Sequence, residues 1–481
     1  MRPRVRFLSD ELIGQILDEA YRLLETKGIN LNHDLLLERL ADLGCRTDTE
    51  KRWVWVSRDL VESSLRSAPG RIELWDIAGA ACCELSGDNV HFTPGSTAIK
   101  VLDHETRRMR SATMADALRY GRLTEQLAAI DYSATAIVPG DVPKAIGDSI
   151  RLYALLKTTS KPIVTGAFTI EGFDVMTELQ LAVRGTREAL RDKPFAVFSC
   201  CPSSPLKWST TTADNTMKCA QLGIPVELIA MPLAGLVAPI SLVGCVLQHA
   251  VETLSGIVIS QVTRPGAPIL YGGSPGIFDM RTMAASISAV EAQMINCACA
   301  EVGKHLGLPT QAYIGMSDSK RLDAQAGFES GTGMYLAALG GINSLSGPGM
   351  LYFESCQSPE KLVLDAEICA MARRLIAGMV PREDFPADGL FDQLLRDRSL
   401  LTADHTLKYF RLEHYMPGAV IDRTQVADAA AAPPADLAGR AHAEVQRCLD
   451  QYEPPEALSP EQRRDLEAVM SAAAGDFQID F

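Results

Sequence analysis

The pattern of apolar and polar positions changes character along the chain. Residues 10–26 and 32–44 repeat apolar side chains at helical spacing, so the first 75 residues are predicted to be mainly helical. Short β-like pieces follow, and apolar runs then alternate with helical segments up to about residue 380. Most of these runs begin after Pro or Gly and are rich in β-branched residues. The predicted strands are 131–138, 161–168, 193–200, 225–230, 267–272, 310–316 and 342–347, with a weaker one at 90–97 or 96–102.

Helical segments between these runs indicate a parallel α/β fold. The clearest of them are 147–158, 211–222, 242–262 and 286–306. Eight strands fit a TIM (β/α)8 barrel. A doubly wound open sheet is the alternative, although no GxGxxG follows the first strand and no P-loop motif occurs. The predicted organisation is an N-terminal helical segment, a barrel domain and a C-terminal helical extension with an Ala/Pro-rich linker, at 1–75, 76–380 and 381–481.

In such barrels the working residues lie at the carboxyl ends of the strands and in the loops that follow them. The corresponding loops of this chain are rich in Gly, Pro, Ser and aromatic residues. We therefore predict that they share one rim of the barrel. They are 139–143, 200–208, 231–235, 272–278, 316–323 and 347–353.

Two acidic side chains in this region are candidate catalytic residues. Glu227 interrupts the apolar strand PVELIA, where a buried charge is costly unless it is paired or used. A structural ion pair is the competing interpretation. Asp318 lies in a polar segment just after a strand, together with Gln325 as a candidate binding residue. For this segment, helix capping is the competing interpretation.

Aromatic residues make up only 6% of the chain, yet several fall in or beside the strand-end loops. Aromatic faces hold quaternary ammonium groups by cation–π attraction. Each ring taken singly is more typical of packing, so only their clustering suggests a binding site. The predicted substrate-binding rings are Tyr271, Phe278, Tyr313, Tyr352 and Phe353.

Charge and cysteine usage narrow the function further. A net charge of −14 argues against nucleic acid or an anionic membrane as partner. The N-terminus lacks the apolar stretch of a secretory signal, and the 12 cysteines form no CxxC or disulfide-like framework, so we expect reduced thiols and a cytoplasmic protein. Cys200 is a possible nucleophile, but a buried thiol is the commoner case. The eight histidines have no zinc-type spacing, so no tightly bound metal or cofactor is expected.

Several segments resemble the trimethylamine methyltransferase superfamily, which includes corrinoid-dependent glycine betaine methyltransferases. The likeness covers about residues 5 to 425. In the segment starting at Val101, Arg107 replaces the Gly that the family usually has. The segments are YGGSPGIFDMRTM, SDSKRLDAQAGFES, SGPGMLYFESCQSPEKLVLDAEI, VLDHETRRMRSATMAD and DHTLKYFRLEHYMP.

This resemblance implies a TIM barrel that passes a methyl group from a small methylated amine to Co(I) of a separate corrinoid protein. The archaeal trimethylamine enzyme carries pyrrolysine, whereas this chain has only standard residues, as the betaine-type relatives do. A quaternary ammonium needs no proton to leave as a tertiary amine, so the protein need only bind and orient it. We also expect a homo-oligomer.

Three alternatives stay open on the sequence alone. Trimethylamine itself could be the substrate, or the barrel could bind a betaine without turning it over. A Schiff-base lyase or aldolase is the third, but Lys161 and Lys193 stand at the amino ends of strands, away from the catalytic face.

Overall fold

The computed structural model describes residues 2–425 and 435–479, and its centre consists of eight short parallel strands. We number these strands β1–β8 and the main helix after each of them α1–α8. The strands are β1 His91–Thr93, β2 Ser133–Ala134, β3 Ile163–Thr165, β4 Ala196–Cys200, β5 Val226–Leu228, β6 Ile269–Leu270, β7 Gln311–Tyr313 and β8 Ser344–Ser346.

The strands form two parallel sheets. Strands β2 to β6 make one sheet in chain order, and β7, β8 and β1 make the other. Backbone contacts connect the sheets at both junctions. Tyr271, just after β6, pairs in parallel with Thr310, just before β7, and the backbone N–H of Asp131 donates to the carbonyl oxygen of Phe92 over 2.8 Å. The predicted parallel α/β fold is therefore confirmed.

Each strand is followed by a helix, and several of these helices have recognisable end signals. Thr113 and Asp116 form a capping box at the start of α1, and Ser358 caps α8 with Pro359 in its first turn. Helices α4 and α7 end at Gly223 and Gly341, both in the left-handed conformation. The helices are α1 Met114–Gln126, α2 Gly147–Thr158, α3 Ile170–Arg184, α4 Thr210–Leu222, α5 Leu242–Thr263, α6 Val290–His305, α7 Ala324–Gly340 and α8 Pro359–Ala377.

Helix α5 is long and apolar enough to cross a membrane by length and composition. However, 72% of its most apolar window is buried inside the protein. Burial of this kind is typical of a core helix, because a helix packed on several sides has no polar face.

The N-terminal region packs directly on the central fold. Its strand Ile29–Leu31 pairs in parallel with Lys207–Trp208 in the loop after β4, and its first helix packs against α5. The described elements of this region are the helices Asp10–Thr26, Asp34–Asp42 and Arg58–Ser67 and the strands Ile29–Leu31, Arg46–Asp48, Trp53–Trp55, Ile72–Trp75 and Ala81–Leu85.

The C-terminal region contains two kinds of helix. Helices Asp388–Asp397 and Asp404–Glu413 have no buried residue, whereas Leu437–Asp450 packs on α8 and α1, and Pro460–Ala474 packs on α3. The central part of the predicted Ala/Pro-rich linker, residues 426–434, lies outside the described residues.

Short strands and hairpins are added to the strand-end loops. The eighth strand lies in the 90–97 window, while the competing 96–102 window supplies a hairpin strand, Lys100–Leu102, instead. The predicted helix 286–306 begins only at Val290, because Ala284–Ser286 pairs with Gly276–Asp279. The other short elements are Met109–Ser111, Lys144–Ile146, Arg187–Asp192, Lys207–Trp208, Leu233–Ala234, Met350–Leu351 and Cys356–Gln357.

Candidate functional site

Glu227 is the one acidic residue within the eight described parallel strands. Its neighbours on β5, Val226 and Leu228, belong to the apolar layer shared with the helices, so its own side chain faces the opposite side of the sheet. The register places Ser199 of β4 beside it, and the Ser199 hydroxyl donates to Glu227 Oε1 over 2.6 Å.

The second carboxylate oxygen of Glu227, Oε2, has no hydrogen-bond partner among the described residues. The side chain is fully buried, and burial raises its pKa to about 7, although the Ser199 hydrogen bond opposes that rise. The competing interpretation of a structural ion pair is wrong, because Glu227 forms no salt bridge with a described Lys, Arg or His. Glu227 is therefore a fully buried carboxyl with one oxygen that no described group satisfies.

Glu354 supplies a second carboxyl from the loop after β8. The backbone of this loop is unusual, since Tyr352, Phe353 and Glu354 all have positive φ angles of 52°, 53° and 60°. Non-glycine residues rarely adopt this conformation, and it is often found at functional sites. The Ser274 hydroxyl donates to Glu354 Oε1 over 3.0 Å, and burial, with Asp318 adding to it, raises the pKa of Glu354 to about 7.

Tyr313 is close enough to both acids for their charges to affect its hydroxyl. It lies at the end of β7, and its hydroxyl is 2.5 Å from the Ser96 hydroxyl. Burial raises the pKa of this phenol, and the negative charges of Glu227 and Glu354 raise it further. Both acids thus act electrostatically on the same aromatic hydroxyl.

A cavity of about 200 Å³ opens at the carboxyl ends of the strands, where Ser199, Tyr313 and Glu354 line it and Glu227 lies behind Ser199 without lining it. A single water needs only about 10–15 Å³ on the same measure, so the space fits a small molecule. No Lys or Arg is among its lining residues in the described part of the chain. The lining consists of Ser96, Thr97, Thr135, Gly166, Ala167, Phe168, Ser199, Cys200, Cys201, Thr212, Asn215, Ile229, Met231, Ser274, Tyr313 and Glu354.

Comparison with known proteins identifies the family of the chain. Residues 1–474 match the family model described as trimethylamine methyltransferase (MTTB). The chain belongs to this methyltransferase family. A trimethylamine methyltransferase of Desulfitobacterium hafniense (strain DSM 10664 / DCB-2) is 28% identical over 98% of this chain and 94% of the relative. A glycine betaine methyltransferase of Desulfitobacterium hafniense (strain Y51) is 29% identical over 98% of this chain and 97% of the relative.

The protein is therefore a methyltransferase, and the predicted resemblance is confirmed. Among solved structures, a Methanosarcina barkeri monomethylamine methyltransferase overlaps with a TM-score of 0.46 at 10% sequence identity. That overlap covers 96% of this chain and 92% of the other, but a similarity this low transfers nothing about the site.

The two other polar residues predicted for the methyltransferase site form a network beside the cavity. Asp318 accepts from the Ser286 hydroxyl, and its backbone N–H donates to Glu329 Oε2 over 2.9 Å. Gln325 donates to Glu329 Oε1, also over 2.9 Å. Burial raises the pKa of Asp318, and its Oδ1 has no described partner. Neither Asp318 nor Gln325 lines the cavity, although Asp318 acts on Glu354.

The predicted aromatic residues are not assembled around the cavity of this enzyme. Tyr271 is only 1% exposed and packs with His249 of α5, at 5.4 Å between ring centroids, so it lies in the layer between strands and helices. Phe278 is on a hairpin strand and does not line the cavity. The Lys320 ammonium lies over Phe353 and Tyr352, 4.5 and 5.8 Å from the ring centroids. Of the predicted rings, only Tyr313 reaches the cavity.

Several lining residues are absent from the sequence-based set. Glu354 lies in the SGPGMLYFES loop that the pattern had singled out, so a carboxylate search of that loop would have found it. Phe168 follows β3 and is 57% exposed, and the Arg151 guanidinium lies over its ring, 4.9 Å from the centroid. Cys200 also lines the cavity, but burial raises its pKa to about 12, which disfavours the thiolate that a nucleophile requires.

Proposed function

We propose that this methyltransferase binds a small methylated ammonium compound of the glycine betaine type and transfers one methyl group to the corrinoid of a separate protein. The observation that carries the proposal is the pair of acids at this cavity: Glu354 lines it, and fully buried Glu227, which has one carboxylate oxygen without a described partner, lies directly behind the lining residue Ser199. A buried acid without a protein cation favours a cationic ligand, because the ligand's charge compensates its desolvation.

Glu354 faces the cation in the cavity, Glu227 attracts it from behind Ser199, and Tyr313 offers a ring surface for its methyl groups. Binding of a cation favours the charged form of both carboxyls. Transfer of one methyl group leaves a neutral amine, which no longer supports those charges. Because the pKa of each acid is about 7 without a ligand, either acid can then take up a proton, which avoids an unpaired buried charge.

Apart from the Glu354 carboxyl, the polar side chains of the described lining that the carboxylate of a betaine would meet are hydroxyl, thiol and amide groups, among them Thr97 and Asn215. A net cation such as choline or tetramethylammonium therefore competes with glycine betaine as the preferred ligand. Trimethylamine, which the printed names of some relatives include, is the second candidate. These compounds differ in charge and in the number of methyl groups, so a ligand panel distinguishes them.

The loops around the cavity also fit a bulky partner. They carry exposed apolar side chains, and Ile240 and Met280 both flank Gly235. Exposed apolar patches of this kind mark interaction surfaces. A reduced corrinoid supplies a cobalt nucleophile that accepts a methyl group, and these side chains would hold its carrier in place. The exposed apolar residues are Ile99, Phe168, Leu236, Ile240, Met280 and Met283 in the loops, together with Phe328 in the first turns of α7.

We further propose that the two parallel sheets close into one eight-stranded (β/α)8 barrel around Glu227. The support is the pairing of Tyr271 with Thr310 at one junction and the bond from Asp131 to Phe92 at the other. The regular succession of eight strands and eight helices gives further support. An experimental electron-density map with continuous pairing between β6 and β7 and between β1 and β2 tests this closure.

The decisive experiment is a transfer assay with the purified enzyme, a reduced corrinoid carrier protein and the ligand panel. Formation of methyl-cobalamin is followed by absorbance, with glycine betaine, choline, tetramethylammonium and trimethylamine as donors. We expect transfer from a quaternary donor and its loss in Glu227→Gln. Transfer from trimethylamine alone would replace the proposed substrate class, and full activity of Glu227→Gln would refute the role of this acid.

A further inference from the structure

Three side chains of the types that bind metal ions meet away from the proposed substrate cavity. They are His104, Glu360 and His442, which are far apart in the sequence. The Nδ1 atom of His442 lies 2.9 Å from Glu360 Oε1, and the Nδ1 atom of His104 lies 3.8 Å from the same oxygen. One ligand atom from each residue can be chosen so that all three lie within 4.8 Å of one another.

The fold brings these residues together from three elements. His104 is in the turn of the hairpin formed by Lys100–Leu102 and Met109–Ser111, and Glu360 is in the first turn of α8. His442 is on the C-terminal helix Leu437–Asp450, which packs on α8. No short-range motif encodes this cluster, which explains why the spacing of the histidines predicts no site.

A second layer of contacts orients the cluster. The Ser358 hydroxyl donates to Glu360 Oε2 over 3.2 Å, which leaves Oε1 directed to the two imidazoles. The side-chain amide of Gln446 lies 3.3 Å from Nε2 of His442. The structure places the amide nitrogen toward the ring, and with the amide turned by 180° its oxygen accepts the Nε2 proton and leaves Nδ1 free to bind a metal. Supporting hydrogen bonds of this type are characteristic of metal-binding histidines.

The charges around Glu360 also fit a cation. Its side chain is 5% exposed and makes no ion pair with a described Lys or Arg, so only the two imidazoles face it. Arg110 is occupied by Asp116, with contacts of 2.6 and 2.7 Å. Arg119 lines the adjoining cavity of about 130 Å³, and a second cavity of about 240 Å³ borders Glu360 as well. The charged residues that complete the linings of these cavities are Asp103, Glu105, Arg107, Arg321, Asp323 and Asp436.

A second cluster of metal-binding residue types in the described chain already contains a cationic side chain. Cys83, His91 and Asp131 also come together, but the Arg373 guanidinium binds Asp131, and the backbone N–H of Phe92 donates to the same carboxylate. A protein cation therefore already fills that position. The cluster around Glu360 has no such guanidinium or ammonium.

We propose that His104, Glu360 and His442 bind one divalent transition-metal ion of the zinc type and so fasten the C-terminal helix to α8. Zinc binds imidazole nitrogen and carboxylate oxygen at about 2.0–2.2 Å, which places tetrahedral ligand atoms about 3.4 Å apart. The distances of 2.9 and 3.8 Å to Glu360 Oε1 lie on either side of this value. The two imidazole rings are stacked with their centroids 3.8 Å apart, so one ring has to rotate about its Cβ–Cγ bond for both nitrogens to point at the same ion. Water from the adjoining cavities completes the coordination.

The test uses the full-length protein after tag removal and treatment with a chelator. Titration with Co²⁺ should give a visible d–d absorption that saturates at one equivalent and is removed by Zn²⁺. His104→Gln and His442→Gln should each abolish this absorption, whereas His91→Gln in the second cluster should retain it. Gln446→Leu should weaken binding about 10- to 100-fold through loss of the supporting hydrogen bond.

Thermal unfolding provides a second readout. Zn²⁺ should raise the melting temperature of the parent protein and of His91→Gln, but not that of His442→Gln. If His442→Gln fails to fold by circular dichroism, Glu360→Gln and His104→Gln serve in its place. Failure of the folded parent to take up one equivalent of Co²⁺ or Zn²⁺ would overturn the proposal, as would equal uptake by the parent and every ligand variant.

Discussion

The acids Glu227 on β5 and Asp365 on α8 are both fully buried, but their surroundings are opposite. Asp365 faces the Lys361 ammonium, which donates to its Oδ1 over 2.7 Å and also donates to the Ser330 hydroxyl over 2.6 Å. The backbone N–H of Gly349 donates to Asp365 Oδ2 over 2.7 Å. Glu227 has one serine hydroxyl, no cation and one carboxylate oxygen without a described partner.

The difference separates a structural acid from one that is free to bind. The charge of Asp365 is compensated within the protein, and its bond to Gly349 fixes the loop that carries Glu354. The pair thus contributes to the site only by holding a loop. Glu227 lowers stability by its own burial, and such a cost is commonly found where function requires it.

Breaking the compensated pair should have the largest effect on stability. Asp365→Asn leaves the Lys361 ammonium buried without a negative partner, and we expect a loss of about 3–5 kcal/mol in the free energy of unfolding, measured by chemical denaturation. The double variant Lys361→Met/Asp365→Leu should recover much of this loss, because neither charge remains. A loss below about 1 kcal/mol in Asp365→Asn would show that the pair does not stabilise the fold.

Neutralising Glu227 should weaken ligand binding without lowering stability, the opposite of what we expect for Asp365→Asn. Glu227→Gln removes an uncompensated buried charge, so the unfolding free energy at pH 8 should stay equal or rise. Its affinity for a quaternary ammonium should fall about 10- to 100-fold, as expected when a contact with a charged group worth about 1.5–3 kcal/mol is lost. Isothermal calorimetry with the ligand panel measures this change.

Glu252→Gln is the matched control for that variant. Glu252 is also fully buried, but it accepts bonds from the Ser204 hydroxyl, the Leu206 N–H and the Gln248 amide. We expect this variant to lose stability and to keep its ligand affinity. If instead Glu252→Gln weakens binding as much as Glu227→Gln does, proximity to the cavity is not what distinguishes the two acids.

The alternation of strands and helices was predictable because it depends on local patterns. A polar residue inside PVELIA identified Glu227 for the same reason, since any strand with that composition buries its centre. Which face of a strand points to the helices depends on register and packing. Tyr271 therefore looked like a rim residue in the sequence, although it packs against His249 in the helix layer.

Contacts between distant segments were beyond local patterns. The composition of the loop after β8 singled out the segment that contains Glu354, but its carboxyl enters the cavity through three consecutive residues with positive φ, a conformation that the sequence LYFES does not predict. His104, Glu360 and His442 meet only because a hairpin, α8 and the C-terminal helix pack together. The lysines over Tyr352 and Phe353 likewise come from other elements, so those rings could not be excluded in advance.

The contribution of Glu227 to the free energy of unfolding also depends on pH. The pKa of Glu227 is about 7 in the folded protein, against 4.5 as its ordinary value. The folded state therefore holds a proton that the unfolded state has lost between pH 4.5 and 7, and this group's contribution to stability falls as the pH rises through that window. Between pH 5.5 and 7 the parent should lose about 1–2 kcal/mol relative to Glu227→Gln, since one pKa unit corresponds to about 1.4 kcal/mol. Parallel curves for the two proteins would contradict this.

The smallest expected effect concerns two buried tyrosines, Tyr313 on β7 and Tyr271 just after β6. They test which side of the strands the ligand occupies. The Tyr313 hydroxyl bonds to Ser96 and lines the cavity, whereas the Tyr271 hydroxyl has no described partner and lies in the helix layer. Tyr313→Phe removes a hydrogen bond worth about 0.5–1.5 kcal/mol and should weaken ligand binding by no more than about tenfold, because the ring remains. Tyr271→Phe should leave binding unchanged and stability equal or slightly higher, since it removes an unsatisfied buried hydroxyl. Calorimetry and thermal unfolding on both variants measure this, and weaker binding in Tyr271→Phe than in Tyr313→Phe would place the ligand on the wrong side of the strands.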